Sequence, residues 1–466
     1  MSIKQIFSIL LLALWLSATV SAYGQARIEL SEARSLRSEP VDIIIEGLRP
    51  WSRVTLRLST AIEVGDFADG VYASEAHFQA GPDGRIEVSK QASLGGDYLG
   101  VDPFGLFWSM QLDDESVAVD ADTKEESAKD ADPAALPEPR QYELSVLAGS
   151  EVLASRTFER IAVTEGVTTR RLDEGRLRGV LWLPPGDGPH PALIVLGGSG
   201  GGYTHRDAHY LVNHGYAALS LAYFGVEDLP EHLVEIPLES FSEGIDWLTD
   251  QPEIDATRLG VNGVSRGGEL SLLLASIEHR LKAVVAWTPS HVSWAGCCGP
   301  ETRSQASWTH QGEGIPFAGA SAVGDDRWSY WPSQVEDNEV TVLNYFWFGL
   351  ANDAVADRAV IQVENTQGAI MLITGAKDET WPASYMADQI MKRLTANDFE
   401  HPFVHVQFDN AGHVLGAFPD DPVSRHHAFP VEGVAFLYRF GGDQDAMIHE
   451  RRESWRLVER FLEENL

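Results

Sequence analysis

The sequence predicts a multidomain chain: an immunoglobulin-like β-sandwich, then an α/β domain built on a mostly parallel sheet. Three observations carry that reading. From Arg27 to about Val163, short alternating apolar and polar segments are separated by close turn signals, the period of half-buried strands. From Leu177 onward, apolar strands alternate with helical stretches, as in a parallel sheet with crossover helices. Within that second part, Arg258 to Ser276 reads as strand, tight turn and helix around Gly263-Val264-Ser265-Arg266-Gly267.

The chain opens on a targeting segment. Lys4 supplies a positive n-region and Ile6 to Leu16 an apolar h-region, with small residues at Val20-Ser-Ala22 and Gly24-Gln-Ala26 as cleavage sites. The apolar run falls short of the about 20 residues that a membrane span needs. Residues 1–26 are therefore read as a cleaved signal peptide and the mature protein as exported, periplasmic or secreted, with no integral membrane span.

Composition narrows the classes open to the mature chain. The 466 residues can hold two or three domains, and an apolar fraction of 44% can bury a full core. A net charge of -34 weighs against nucleic acid and anionic membranes as partners. It reads as a solvated acidic surface and identifies no substrate. The only two cysteines, Cys297 and Cys298, are adjacent. They cannot staple distant segments, leave room only for a vicinal disulfide, and are too few for a metal site.

Residues 27–165 form the sandwich in this reading, through segments such as Val41 to Glu46, Ser52 to Leu58 and Gln141 to Val146, with a turn at Gly81-Pro-Asp-Gly84. Residues 113–139 interrupt it with an acidic stretch of few large apolar side chains, expected as a surface loop. The catalytic domain is placed at 166–466. Its early strand Pro191 to Leu196 runs into the glycine-rich Gly197 to Tyr203; strand Tyr216 to Leu221 and helix Leu238 to Leu248 lead to Ser265. An insertion at about 290–365 carries Trp294, Trp308, Trp328, Tyr330, Trp331 and Tyr345 to Phe348. These aromatics read either as the lining of an apolar pocket or as the insertion's own core. Ile448 to Leu466 is an amphipathic helix.

The turn at Ser265 is the nucleophile elbow of an α/β-hydrolase, G-x-S-x-G between strand and helix. A side chain on such a tip sits in a strained backbone, so its neighbours must be small. The helix that begins there aims unpaired N–H groups at any anion that forms. Chain order supplies the partners. Asp378 follows just after strand Ala369 to Thr374, and His413 just after strand Phe403 to Phe408, both at the sheet edge where catalytic groups gather. Ser265, Asp378 and His413 are thus the expected triad. The backbone N–H of Arg266, with that of Gly198 or Ser199, is the expected oxyanion hole. This chemistry needs no metal or cofactor.

The mature chain resembles the acyl-CoA thioesterase and bile acid-CoA:amino acid N-acyltransferase family. The residues that carry the resemblance are Leu94 to Met110, Gly197 to Gly202, Leu219 to Pro230, the Ser265 turn, Gly375 to Trp381 and Gly412-His413. The resemblance implies a β-sandwich joined to an α/β-hydrolase domain, and hydrolysis of acyl thioesters through an acyl-Ser265 intermediate. Some family members carry Cys at the elbow, so Ser265 resembles the thioesterase branch. The expected partner is a small-molecule acyl thioester or ester. The alternatives are an exported carboxylesterase or peptidase, or transfer of the acyl group from CoA to an amino acid. Nothing in the sequence sets the oligomeric state.

Overall fold

The computed structural model describes residues 25–62, 70–113, 132–299, 302–319, 333–336, 339–351, 353–415, 418, 421, 426–431 and 434–466. The targeting segment, most of the acidic stretch, and Trp328, Tyr330 and Trp331 lie outside the described residues. The described residues of Met1–Lys124 and Pro139–Ile161 form one compact unit, and those of Glu125–Glu138 and Ala162–Leu466 a second.

The described residues of the first unit are all β apart from one helical turn. One sheet pairs Arg27–Leu30, Ile43–Glu46 and Ile86–Glu87; the other runs Arg34–Leu36, Glu151–Ile161, Arg140–Ala148, Arg53–Ile62, Gly70–Gln79 and Gln111–Leu112. Period two decides which side chains go inside: along Arg53–Ile62, Val54, Leu56 and Leu58 are buried while Thr55 and Arg57 are not. The segment Leu94 to Met110 contains this unit's anchor. Gly105–Trp108 forms the helical turn, wholly buried, and Phe107 meets Tyr142 and Phe158 edge-on at 5.4 and 6.2 Å. The buried Asp102 carboxylate accepts from the Phe104 N–H and the Trp108 indole N–H, which ties down both ends of the turn.

The second unit is organised by one eight-stranded sheet. Its strands are β1 (Thr168–Glu174), β2 (Leu177–Leu183), β3 (His190–Leu196), β4 (Ala217–Ala222), β5 (Ile254–Val264), β6 (Leu281–Trp287), β7 (Ala369–Gly375) and β8 (Phe403–Phe408). They lie in the order β1-β2-β4-β3-β5-β6-β7-β8. The first two pairings are antiparallel and all the rest parallel, so this is the mixed sheet of an α/β-hydrolase domain. Every residue of β2, β4 and β7 is buried, as expected for strands covered on both faces. Helices α1 (His205–Asn213), α2 (Glu239–Thr249) and α3 (Arg266–Ala275) are the crossovers; α6 (Ala383–Ala396) and α7 (Gln444–Asn465) follow the insertion, which itself holds α4 (Leu343–Leu350) and α5 (Asp353–Ala359). None of the described helices is long and apolar enough to cross a membrane.

The structure adds strands to the sequence reading in two places. The Arg-rich lead-in to Leu177 is itself β1, paired along its whole length with β2 from Thr168↔Leu183 to Glu174↔Leu177. Its arginines point to a charged surface: Arg170 pairs with Glu253 and Arg171 with Glu227. Helix α3 starts at Arg266, directly after Ser265, because the turn itself begins the helix. Between His413 and α7, where the sequence reading named no strands, lie His426–Val431 and Val434–Arg439, which join Ser333–Glu336 and Glu339–Thr341 in a four-stranded sheet.

One buried polar site in β5 gives a test of this core. The Asn262 amide donates to Asp207 at 2.9 Å and accepts from the Trp287 indole at 2.8 Å, with Asn262 fully buried. Asn262→Leu removes both partners and leaves the Trp287 N–H without an acceptor. A loss of about 2–3 kcal/mol of unfolding free energy is expected, read from the shift in the urea midpoint.

Candidate active site

The elbow is built by close approach of backbone to backbone. A Cβ on Gly263 would lie 2.2 Å from the Gly267 carbonyl oxygen, and one on Gly267 would lie 2.3 Å from that of Leu196. Only glycine fits at either place, which lets β3, β5 and α3 meet at one point. Between them Ser265 takes φ 58° and ψ −118°, a left-side conformation that costs a non-glycine residue about 1–3 kcal/mol. Its N–H donates to the Trp287 carbonyl at 2.9 Å, and its own carbonyl accepts from Glu269 N–H at 3.0 Å. The strained residue is thus held from β6 on one side and from α3 on the other.

The structure brings Ser265, His413 and Asp378 together. The Ser265 hydroxyl lies 2.9 Å from His413 Nε2, and His413 Nδ1 lies 2.8 Å from Asp378 Oδ2. Both partner side chains are buried, at 7% and 3% exposure, so water does not compete for these bonds. The other Asp378 oxygen accepts the N–H groups of Thr380 and Trp381 at 2.8 and 3.1 Å, which fixes the carboxylate's direction. His413 is held by its own N–H on the Phe440 carbonyl at 2.8 Å. The Trp381 ring packs edge-on against it at 5.9 Å and the Phe440 ring stacks at 6.2 Å. The neighbouring carboxylate, Glu379, is committed elsewhere, to Arg439 at 2.5 and 2.9 Å.

The glycine-rich loop after β3 lies directly beside Ser265. A Cβ on Gly198 would sit 3.2 Å from the Ser265 Cβ, so this glycine permits the contact. Arg266, the first residue of α3, has no intrahelical acceptor for its N–H. The loop and the helix start therefore flank Ser265 from two sides. Cys297 and Cys298 are joined in a vicinal disulfide, and Cys298 Sγ lies 3.1 Å from the Ser199 carbonyl oxygen.

Sequence reasoning used only the backbone of Arg266 and gave no part to Glu269. In the structure their side chains form a buried ion pair at 3.0 Å, with Glu269 at 0% and Arg266 at 6% exposure. The Glu269 carboxylate also accepts the Trp308 indole N–H at 2.7 Å and the Trp294 backbone N–H at 3.1 Å. The Arg266 guanidinium donates to the carbonyls of Ala295 and Trp294 and to the Ser307 hydroxyl. Burial pushes the Glu269 carboxyl up, and Arg266 and the donated bonds oppose it. The start of α3 is thereby fastened to residues 294–308 of the insertion. An R-x-x-E spacing of one helical turn was the available signal, but charged pairs at that spacing usually lie on a solvated face.

The insertion's aromatics pack on one another. Trp294 meets Phe346 at 4.8 Å, Phe346 meets Trp381 at 5.3 Å, and Trp381 borders His413. Among the described residues they form a core with Val292, Ala318, Ala359, Ala383 and Met386. The described residues hold no cluster of three or more His, Cys, Asp or Glu suited to a metal ion.

Two family models match the chain. Residues 38–174 match the acyl-CoA thioester hydrolase/BAAT N-terminal region, and residues 236–466 the BAAT/acyl-CoA thioester hydrolase C terminal. Acyl-coenzyme A amino acid N-acyltransferase 2 of Mus musculus is 32% identical over 437 residues, 93% of this chain and 96% of its own length. Acyl-coenzyme A thioesterase 1 of Homo sapiens is 28% identical over 434 residues, 92% of this chain and 94% of its own. Bile acid-CoA:amino acid N-acyltransferase of Mus musculus is 28% identical over 445 residues, 95% and 98%.

The buried pair gives the site's own test. Glu269→Ala leaves the Arg266 guanidinium inside without its counter-charge. A loss of about 3–5 kcal/mol is expected, read by denaturant titration, with a smaller loss when Arg266→Met is added. Equal losses in the single and double variants would refute the ion-pair account.

Proposed function

The chain belongs to the acyl-CoA thioester hydrolase/bile acid-CoA:amino acid N-acyltransferase family, and from that premise we propose that it is a serine hydrolase of acyl thioesters. The observation that carries the proposal is the hydrogen-bonded line Ser265–His413–Asp378, with both bonds under 3 Å and the nucleophile on a strained turn. His413 takes the Ser265 proton through Nε2 as the oxygen attacks the acyl carbonyl. Asp378 holds the tautomer that leaves Nε2 free to accept, and stabilises the imidazolium that forms. The Arg266 N–H and a loop N–H, from Gly198 or Ser199, take the oxyanion's charge. The thiol leaves with the proton held by His413. Water, activated by the same imidazole, then releases the carboxylic acid from Ser265.

Hydrolysis competes with transfer. Relatives 31–32% identical to this chain carry the name acyl-coenzyme A amino acid N-acyltransferase, which is the observation favouring the second reading. An acyl-oxygen ester is less reactive toward amines than a thioester, and a transferase must also exclude water from its intermediate. A Ser nucleophile at position 265 therefore favours the free acid. The N-terminal residues 1–26 remain read as an export signal, so the acyl donor outside the cytoplasm can be another thioester or an ester.

Ser265→Ala and His413→Ala should each lower turnover by roughly four to six orders of magnitude with the fold intact by circular dichroism. Asp378→Asn should cost about four orders, whereas Glu379→Gln should leave the rate nearly unchanged. A panel of oxoester, thioester and aminoacyl substrates compared with these variants decides the substrate class. Mass spectrometry of the products from an acyl-thioester, with about millimolar glycine or taurine present, should show mainly free acid. Predominant N-acyl amino acid would assign the chain to transfer instead.

A further inference from the structure

The glycine-rich loop is gripped by the segment that leaves β4, at Tyr223 and Phe224. The Tyr223 hydroxyl donates to the Gly197 carbonyl at 2.6 Å, entirely inside the protein. At the other end of the loop, the Gly202 N–H donates to the Phe224 carbonyl at 3.0 Å. The Phe224 ring fills the space beside Gly201, where a Cβ would meet it at 2.9 Å. Between these anchors the Gly198 carbonyl accepts from the Gly201 N–H at 3.4 Å, closing a tight turn.

The first of these bonds acts on a particular peptide plane. In a trans peptide the carbonyl of one residue and the N–H of the next point in opposite directions. Holding the Gly197 oxygen therefore also sets the Gly198 N–H. It fixes as well the backbone from which Ser199 follows, next to the Ser265 Cβ. The Gly197 oxygen lies close against the Gly267 backbone, 2.4 Å from where a Cβ there would be, so only a glycine at 267 leaves it room. Tyr223 is equally constrained. Its ring is packed among Phe224, Phe241 and Trp308, with centroids at 5.2, 5.6 and 5.7 Å. Burial pushes its ionisation far above the usual range, so it remains a neutral donor. The indole of that same Trp308 donates to Glu269, the partner of Arg266.

We propose that Tyr223 is a positioning residue of the oxyanion hole, its hydroxyl setting the glycine-loop peptide so that the loop N–H groups face the acyl carbonyl on Ser265. The inference rests on the hydrolase reading above. Tyr223 touches no substrate; it acts through Gly197. Its partner side, Trp308 to Glu269 to Arg266, leads to the other oxyanion donor, so both halves of the hole share one buried support.

Tyr223→Phe tests this, because it keeps the ring and removes only the hydroxyl. A fall in kcat of about 10- to 100-fold is expected, with KM within about two-fold of the wild type, since the loss falls on the transition state. Affinity for a trifluoromethyl ketone, whose adduct puts an oxyanion in the hole, should fall by a similar factor. Leu248→Ala, in the same core but away from the loop, should lower Tm without changing kcat. A kcat in Tyr223→Phe within two-fold of wild type, or a loss confined to KM, would overturn the proposal. So would an equal kcat loss in Leu248→Ala. If Tyr223→Phe does not fold, a crystal structure of the wild-type ketone adduct decides: an adduct oxygen out of reach of the Gly198 and Ser199 N–H groups overturns it. Labelling by a fluorophosphonate separates the two readings. No labelling of wild-type Ser265 sinks the hydrolase reading and this inference with it. Labelling at equal rates in wild type and Tyr223→Phe sinks only the role of Tyr223.

Discussion

The second unit depends on one backbone approach, the meeting of β3, β5 and α3 at Gly263, Gly267 and Leu196. Side chains are excluded at the two glycines, because a Cβ on either would overlap a carbonyl at 2.2–2.3 Å. That exclusion forces the chain to reverse within two residues and leaves Ser265 alone on the outside of the turn. The positive φ of Ser265 is a cost the fold bears, offset by the bonds from Trp287 and Glu269 that over-determine it. Once the serine is fixed, the sheet order fixes the rest. β6 and β7 follow β5 in the sheet, and β8 follows β7, so the segments after β7 and β8 bring Asp378 and His413 to the same edge.

A second constraint is electrostatic. A buried arginine and glutamate beside Ser265 would be expensive unless nearly every polar atom found a partner. Here the carboxylate accepts two N–H groups besides the guanidinium, and the guanidinium donates to two carbonyls and a hydroxyl. These partners come from the insertion, not from the sheet. The pair is therefore weak as a source of stability and strong as a source of geometry. It specifies where residues 294–308 must lie relative to the first turn of α3.

The site was legible in the sequence because its rules are local. Glycines flanking a serine between an apolar strand and a helix, then an acid and a histidine each just past a strand, are patterns that adjacent residues impose. The parallel strands were legible for the same reason, as uninterrupted apolar runs. What stayed hidden is non-local. The charged face of β1 carries no period-two apolar signal, since its arginines are satisfied by Glu253 and Glu227, both distant in sequence. Strand 434–439 pairs with Glu339–Thr341, about a hundred residues earlier, and carries strand 426–431 on its other side. Glu269 resembles any helical glutamate until Trp294 and Trp308 are brought to it. Tyr223 stands in an apolar run like any core aromatic, and only the fold shows its hydroxyl against the Gly197 carbonyl.

These constraints bear on how specificity and catalysis can change in such a chain. The aromatic core of the insertion reaches the triad through Trp381 against His413, and the elbow through Trp294 and Trp308 on Glu269. A substitution that enlarges the space near Phe346 acts on a surface two rings from the imidazole. One that moves Trp308 disturbs the carboxylate that holds Arg266 and the ring that packs on Tyr223. The first kind of change leaves the Arg266–Glu269 pair and the Tyr223 ring in place, and the second disturbs both. Variation is therefore compatible with the fold at the Phe346 side of the insertion, and constrained at the Trp308 side by the buried pair and the ring packing that meet there.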